Sequence, residues 1–109
     1  MKRKIIILNA LVTSSKKPMT LKTRPVSLDI VRELIKEKEI ESYIGHEATA
    51  NLLTNLLNIN VPMNRSMYDP KVDDVAIVVR LKKRLEKPED VKNVSPNDIE
   101  FILVEYHEY

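Results

Sequence analysis

The residues best placed to do chemistry are Gly45, His46 and Thr49. The chain has one glycine and two histidines, and Gly45-His46 stands at the start of its most regular helical pattern. Ile44, Ala48, Leu52, Leu53, Leu56 and Leu57 recur at three- and four-residue steps, which makes one apolar helix face. Gly45 falls at the N-cap of that helix or one residue from it. His46 and Thr49 then lie in the first turn, where backbone N–H groups lack partners and the macrodipole is positive. Such a turn suits a phosphate. The plainer reading of His46 is a polar residue filling out a helix start. What favours chemistry is the combination of an isolated histidine, the single glycine, a helix N-terminus and basic segments elsewhere.

Further candidates come from other stretches. Arg65 is the only charge in its neighbourhood, and its fork suits a phosphate bidentately; a solvent-facing turn arginine explains it equally well. Val75 to Val79 reads as the strongest strand and continues into Arg80-Leu81-Lys82-Lys83-Arg84-Leu85-Glu86-Lys87. On a period of two, Arg80, Lys82 and Arg84 share a face, a possible anion clamp, although basic strands also resist edge pairing. Asn9, Thr13 and Ser14 follow the carboxyl end of a buried strand, where α/β proteins usually build sites, yet Thr and Ser also simply cap turns.

Several chemistries are excluded. One glycine permits neither a P-loop nor a dinucleotide-binding fingerprint, and Gly-x-Ser-x-Gly is absent. There is no cysteine, hence no disulfide framework or thiolate metal site, and zinc lacks ligands. Asp69, Asp73 and Asp74 match no calcium loop. A histidine, several Arg and Lys, and amide or hydroxyl side chains remain. That set suits cleavage of an RNA-like phosphodiester, in which the ribose 2′-hydroxyl is the nucleophile. The protein aligns it, stabilises the phosphorane and protonates the departing 5′-oxygen. A helix N-terminus works against a charged imidazole, and a bound phosphate favours it. No cofactor is needed.

The elements that must position these groups follow from the pattern. At 109 residues and net charge +2 the chain is one domain with a modest core and not a polycation. No segment reaches the length of a membrane span, and Ile5 to Leu8 is too short for an export core. Abundant Lys, Glu and Ile agree with a hot-living source. Ile5 to Leu8 reads as a buried central strand. Met19 to Thr23 is a short strand closed by Pro25. Ser27 caps a helix from Leu28 to Lys38, and Ile40 to Tyr43 links it to the helix ending near Leu57, with Asn58 as a left-handed cap. Ile59 to Val61 is a short extended piece, and Tyr68 to Asp74 a loose connector. Ser95-Pro96 opens one helical turn, and Ile99 to Tyr106 is the last strand. The result is a single α/β domain with a small mixed β-sheet flanked by helices. A sheet so small leaves apolar surface to cover, which suggests a homodimer.

Taken together, Ile44-Gly45-His46-Glu47-Ala48-Thr49 with Leu52-Leu53, then Val61-Pro62-Met63-Asn64-Arg65, then Lys83-Arg84-Leu85-Glu86, resembles the viral ring nucleases, type III anti-CRISPR proteins of archaeal viruses and phages. The likeness covers nearly the whole chain. It implies a homodimer that binds cyclic tetra-adenylate across its interface. It further implies metal-independent cutting to linear di-adenylate in the cytoplasm of the infected host cell, silencing type III CRISPR defence. It places the general acid on His46 and the transition-state arginine on Arg84, with Glu86 as the acid that follows. It places substrate contacts on Asn9, Thr49 and Arg65, and the reading of the residues themselves adds Ser14, Gly45 and Arg80. The chain departs from the family pattern in having Lys87 after Glu86 where a second acid is usual, Ala48 where a serine can contact ligand, and Val12 at a loop position that is sometimes serine. The alternatives are a non-enzymatic nucleic-acid-binding or regulatory protein using the basic strand, or a structural dimer of a virus.

Overall fold

The computed structural model describes residues 4–13, 17–82 and 94–109. Ile5 to Leu8 does form the centre of the sheet. Strand β1 (Lys4–Leu8) is buried from its second residue on, because a strand flanked on both sides and on both faces has no solvent edge for polar residues. The other strands are β2 (Met19–Val26), β3 (Glu39–Tyr43), β4 (Val75–Leu81) and β5 (Ile99–Glu108), in the order β2-β5-β4-β1-β3. β1 runs parallel to both β3 and β4, whereas β5 is antiparallel to β4 and β2. The sheet is therefore mixed, and β1 to β4 all end at the same edge of the molecule.

Helix α1 (Leu28–Ile35) begins as expected, with the Ser27 hydroxyl accepting from the Ile30 N–H at 3.2 Å. It ends earlier than Lys38. Glu37 adopts φ 59, and the chain turns there into β3. Helix α2 (Glu47–Leu57) closes on Asn58 in the left-handed region, φ 58 and ψ 30, as the sequence suggests.

Three other expectations change. The segment read as a link is the strand Glu39–Tyr43, and the extended piece Ile59–Val61 is not a strand. Ile59 to Val61 follows the helix cap, and beyond it only Met63 makes a bridge, to Ile44. β2 runs through Pro25 to Val26, paired with β5 throughout; an edge strand can hold a proline because no second neighbour needs its N–H. Tyr68 to Asp74 is anchored, with Tyr68 only 7 % exposed and its hydroxyl donating to Asp74 Oδ2 at 2.6 Å.

The two faces of the sheet are covered differently. Alternate residues Ile5, Ile7, Ile77, Val79, Phe101 and Leu103 pack with Val31 and Ile35 of α1 and with Ala48, Leu52, Leu53 and Leu57 of α2. Both helices thus lie on one face, and Arg32 of α1 joins them by donating through Nε and Nη2 to the Leu56 carbonyl at 3.1 and 3.0 Å. The opposite face, with Ile6, Leu8, Ala76, Val78 and Val104, is closed by Tyr68 and Tyr106. Tyr43 and Tyr68 have ring centroids 5.2 Å apart, and Tyr68 meets Tyr106 edge-on at 5.9 Å, the geometry aromatic quadrupoles prefer.

Burial first, and then the Asp74 carboxylate, pushes Tyr106 up to about 12. Tyr68 is raised by burial and by its hydrogen bond and charge contact with Asp74. Tyr43 is raised by burial and by Glu41. Folding therefore favours the neutral phenols. The Tyr106 contribution is intact below the ordinary value of 10 and is lost as pH rises through about 12. Melting followed by circular dichroism should hold steady below pH 10 and fall between pH 10 and 12, with tyrosinate absorbance appearing together with unfolding. Tyrosinate forming well below the loss of structure would show that these hydroxyls titrate freely.

Candidate functional site

The described candidates Asn9, Gly45, His46, Thr49, Arg65 and Arg80 lie at the carboxyl edge of the sheet. β3 leads through Ile44 and Gly45 directly into α2. His46, not Gly45, is the N-cap, with extended backbone at φ −130 and ψ 123. Gly45 does not have a positive φ, and a Cβ built on it meets Arg65 Cγ at an ordinary 3.7 Å. The backbone does not demand glycine there.

The His46 side chain is exposed and makes no capping bond to the backbone. Its Nδ1 lies 3.4 Å from the Thr49 hydroxyl, and Thr49 is buried at 6 % exposure. That contact engages one ring nitrogen and leaves Nε2 for a ligand. Since His46 does not cap, the first-turn N–H groups of α2 take no acceptor from it, and such groups favour an anion, although Glu47 in that turn already supplies one negative charge. Arg65 donates from Nε to the Gly45 carbonyl at 3.3 Å, which sets the exposed guanidinium beside the helix start. Gly45, His46, Thr49 and Arg65 thus form one contiguous group.

Asn9 and Arg80 form a second group. Leu8 pairs with Tyr43 on one side and Val78 on the other, so Asn9, just past β1, comes near the end of β4. Both residues line a depression of about 400 Å³ together with Ala10, Leu11, Thr23, Val78 and Ile102. Sequence reasoning missed Thr23 and Leu11. Thr23 is on a distant strand, brought in by the β2–β5 pairing. Leu11 carries a visible sign only in the structure, where it is 52 % exposed. β4 and β3 are two strand spacings apart, so the two groups are separated by roughly 10 Å across the sheet edge.

Ser14, Arg84 and Glu86 lie outside the described residues. Arg80 and Lys82 do not share a strand face: β4 ends at Leu81. Lys82 lies past the strand, its N–H donating to Asp98 at 2.7 Å and its ammonium 3.8 Å from Glu100. The nucleic-acid-binding alternative thereby loses part of the stripe on which it depends. Among the described residues no three His, Cys, Asp or Glu side chains come together as metal ligands, and no helix is long and apolar enough to cross a membrane.

A family model described as STIV B116-like matches residues 5–106. The chain is 32% identical over 78 residues to uncharacterized protein 26 of Sulfolobus islandicus filamentous virus (isolate Iceland/Hveragerdi), covering 72% of this chain and 66% of that protein. It is 38% identical over 71 residues to uncharacterized protein ORF117 of Acidianus two-tailed virus, covering 63% of this chain and 61% of that one. It thus spans just under two thirds of the length of these two viral relatives. Uncharacterized protein YddF of Bacillus subtilis (strain 168) is 35% identical over 89 residues, covering 80% of this chain and 79% of its own. Among solved structures, B116 of Sulfolobus turreted icosahedral virus (STIV) superimposes with a TM-score of 0.72 at 21% identity, over 94% of this chain and 98% of that one. At that identity the likeness concerns the fold.

Proposed function

We propose, from the premise that the chain belongs to the STIV B116-like family, that it is a metal-independent ring nuclease opening cyclic tetra-adenylate to linear di-adenylate. The observation that carries this reading is His46 at the N-cap of α2: exposed, uncommitted to the backbone, and held through Nδ1 beside the buried Thr49 hydroxyl. A structural histidine in a cap position would be expected to bond the backbone it caps.

The reaction needs little from the protein. A ribose 2′-oxygen attacks the adjacent phosphorus, the bond from phosphorus to the 5′-oxygen breaks, and a 2′,3′-cyclic phosphate forms. The 2′-hydroxyl gives up a proton to solvent water and the leaving 5′-oxygen gains one. His46 donates the second through Nε2. The first-turn N–H groups of α2 and the guanidinium of Arg65 hold the phosphate, and charge developing on the phosphorane strengthens both contacts. Asn9 and Arg80 bind a neighbouring nucleotide in the depression they share. Arg84 and Glu86 keep the roles implied by the resemblance, transition-state stabilisation and an accompanying acid. A homodimer would set two His46 side chains around one ring, so that two cuts yield two di-adenylates. The setting is the cytoplasm of the infected host cell, and the effect is removal of a type III CRISPR messenger.

The test is single-turnover incubation of labelled cyclic tetra-adenylate with excess protein in EDTA, with products resolved by chromatography. Di-adenylate ending in a 2′,3′-cyclic phosphate is expected. An intact ring after incubation with folded protein would overturn the reading, and salt-dependent binding to linear RNA or duplex DNA would then favour the nucleic-acid-binding alternative.

A further inference from the structure

The turn that carries His46 is held from one side by a short loop whose role is not explained by packing. β3 is an edge strand, paired only with β1. At its carboxyl end residues 62–65 come alongside in place of a further strand. The Asn64 N–H donates to the Ile44 carbonyl at 2.8 Å, and Asn64 Nδ2 donates to the Ser42 carbonyl at 2.9 Å. Asn64 Oδ1 in turn accepts from the Ser66 N–H at 3.0 Å, closing its own loop. Ser42 answers from the other side. Its hydroxyl donates to the Pro62 carbonyl at 2.7 Å and accepts from the Ile44 N–H at 3.2 Å. Arg65 completes the set on the Gly45 carbonyl at 3.3 Å.

These bonds engage backbone groups in the four residues before His46: the carbonyls of Ser42, Ile44 and Gly45 and the N–H of Ile44. Ser42 is one of two buried polar side chains among the described residues, at 4 % exposure, and Ile44 is fully buried. Asn64 is half-buried, and a buried serine and a half-buried asparagine that each bond the backbone of the other's segment specify one geometry more sharply than apolar packing does. What they specify here is the direction in which the chain leaves the sheet and enters α2, and hence where the His46 ring sits relative to the sheet edge.

We infer that Asn64, clipped to Ser42, is a positioning residue for His46. It holds the Ile44-Gly45-His46 turn so that the imidazole faces the ligand, and it does not itself touch the ligand. This rests on the proposed reaction for its kinetic consequence but not for its structural one. A catalytic group displaced by about 1 Å can lose on the order of 10²-fold in rate while the ligand still binds.

The experiment compares the wild-type protein with Asn64→Ala and Asn64→Asp. Asp keeps the acceptor for Ser66 but places a carboxylate oxygen against the Ser42 carbonyl. Three quantities are read: the single-turnover cleavage rate of cyclic tetra-adenylate, its Kd, and the NMR signals of the His46 ring with hydrogen exchange of the Gly45 and His46 amides. The inference expects a rate loss of about 10- to 100-fold with Kd changed by less than about threefold, together with shifted His46 ring signals and faster exchange at Gly45 and His46. A Kd that weakens as much as the rate would overturn it by making Asn64 a ligand contact. Unchanged His46 signals and exchange in a folded variant would overturn it by reducing the clip to a loop staple. Should Asn64→Ala fail to fold, Asn64→Asp and Ser42→Ala carry the same comparison. If the wild-type protein leaves the ring intact, the ring-nuclease reading fails, and the NMR arm still decides whether Asn64 positions His46.

Discussion

Replacing His46 by alanine is expected to slow opening of cyclic tetra-adenylate by about 10²- to 10⁴-fold, the contribution usual for a positioned general acid. The fold should hardly notice. The His46 side chain is exposed and makes no capping bond, and the nearest polar contact is the 3.4 Å approach to Thr49, long for a hydrogen bond. Thermal unfolding within about 1 kcal/mol of the wild type is therefore expected, as for a surface substitution or a weak cap. The substrate should still bind, because the helix N–H groups, Arg65 and Arg80 remain. A large rate loss with small changes in Kd and stability is the signature of a group acting mainly in the transition state. A variant that cuts as fast as the wild type would remove His46 from the mechanism. A variant that loses binding instead would make the imidazole a ligand contact.

The contrast between His46 and its surroundings shows what is legible in one dimension. The His46, Thr49 and Gly45 group was readable because it lies within one helical turn, and turn chemistry is local. Ile5 to Leu8 was readable because a strand buried on both faces has a continuous apolar run. Ser27 and Asn58 announced helix ends through side-chain chemistry that acts over one turn. Glu39–Tyr43 was not readable as a strand. Only Ile40 and Tyr43 in it are apolar, and its conformation comes from pairing with β1, more than thirty residues earlier in the register. Pro25 misled for a related reason: its effect on a strand depends on whether the strand lies at an edge, which only the sheet order reveals.

The site divides along the same line. Arg65 stood out by its isolation, yet its position beside Gly45 follows from the Ile44 to Met63 bridge. Asn9, Arg80 and Thr23 share a depression only because β1, β4, β5 and β2 are assembled in that order. Nothing in the spacing of those residues carries this information. Of the row Arg80, Lys82 and Arg84, Arg80 is on β4, Lys82 lies past its end, and Arg84 lies outside the described residues. β4 ends once its partner β5 has reached its first residue, with Leu81 opposite Ile99.

The second large effect is on stability and concerns the face without helices. Tyr106→Ala is expected to cost about 3–5 kcal/mol, the range for removing a large buried aromatic side chain. Tyr106 has no exposed surface. Its ring fills the layer over Ile6, Ala76, Val78 and Val104 and meets Tyr68 edge-on. Its backbone N–H donates to the Asp74 carbonyl at 3.0 Å, and its own carbonyl accepts from the Asp73 N–H at 2.8 Å. Those two bonds survive the substitution, so the loss reports the side chain. In a domain of this size such a cost lowers the melting temperature by roughly 12 °C or more.

Tyr106→Phe separates packing from anchoring. The hydroxyl donates to the Val12 carbonyl at 2.7 Å, tying the segment after β1, which includes Asn9, to the far strand β5. Phenylalanine keeps the ring and loses this one bond, at about 1 kcal/mol. Its effect on ligand binding should exceed what that modest destabilisation explains, because Asn9 stands three residues from the anchor. If phenylalanine cost as much stability as alanine, the hydroxyl and not the ring would hold this face together. If alanine cost less than about 1 kcal/mol, the aromatic layer would not be the second half of the core, and the sheet would depend on its helical face alone.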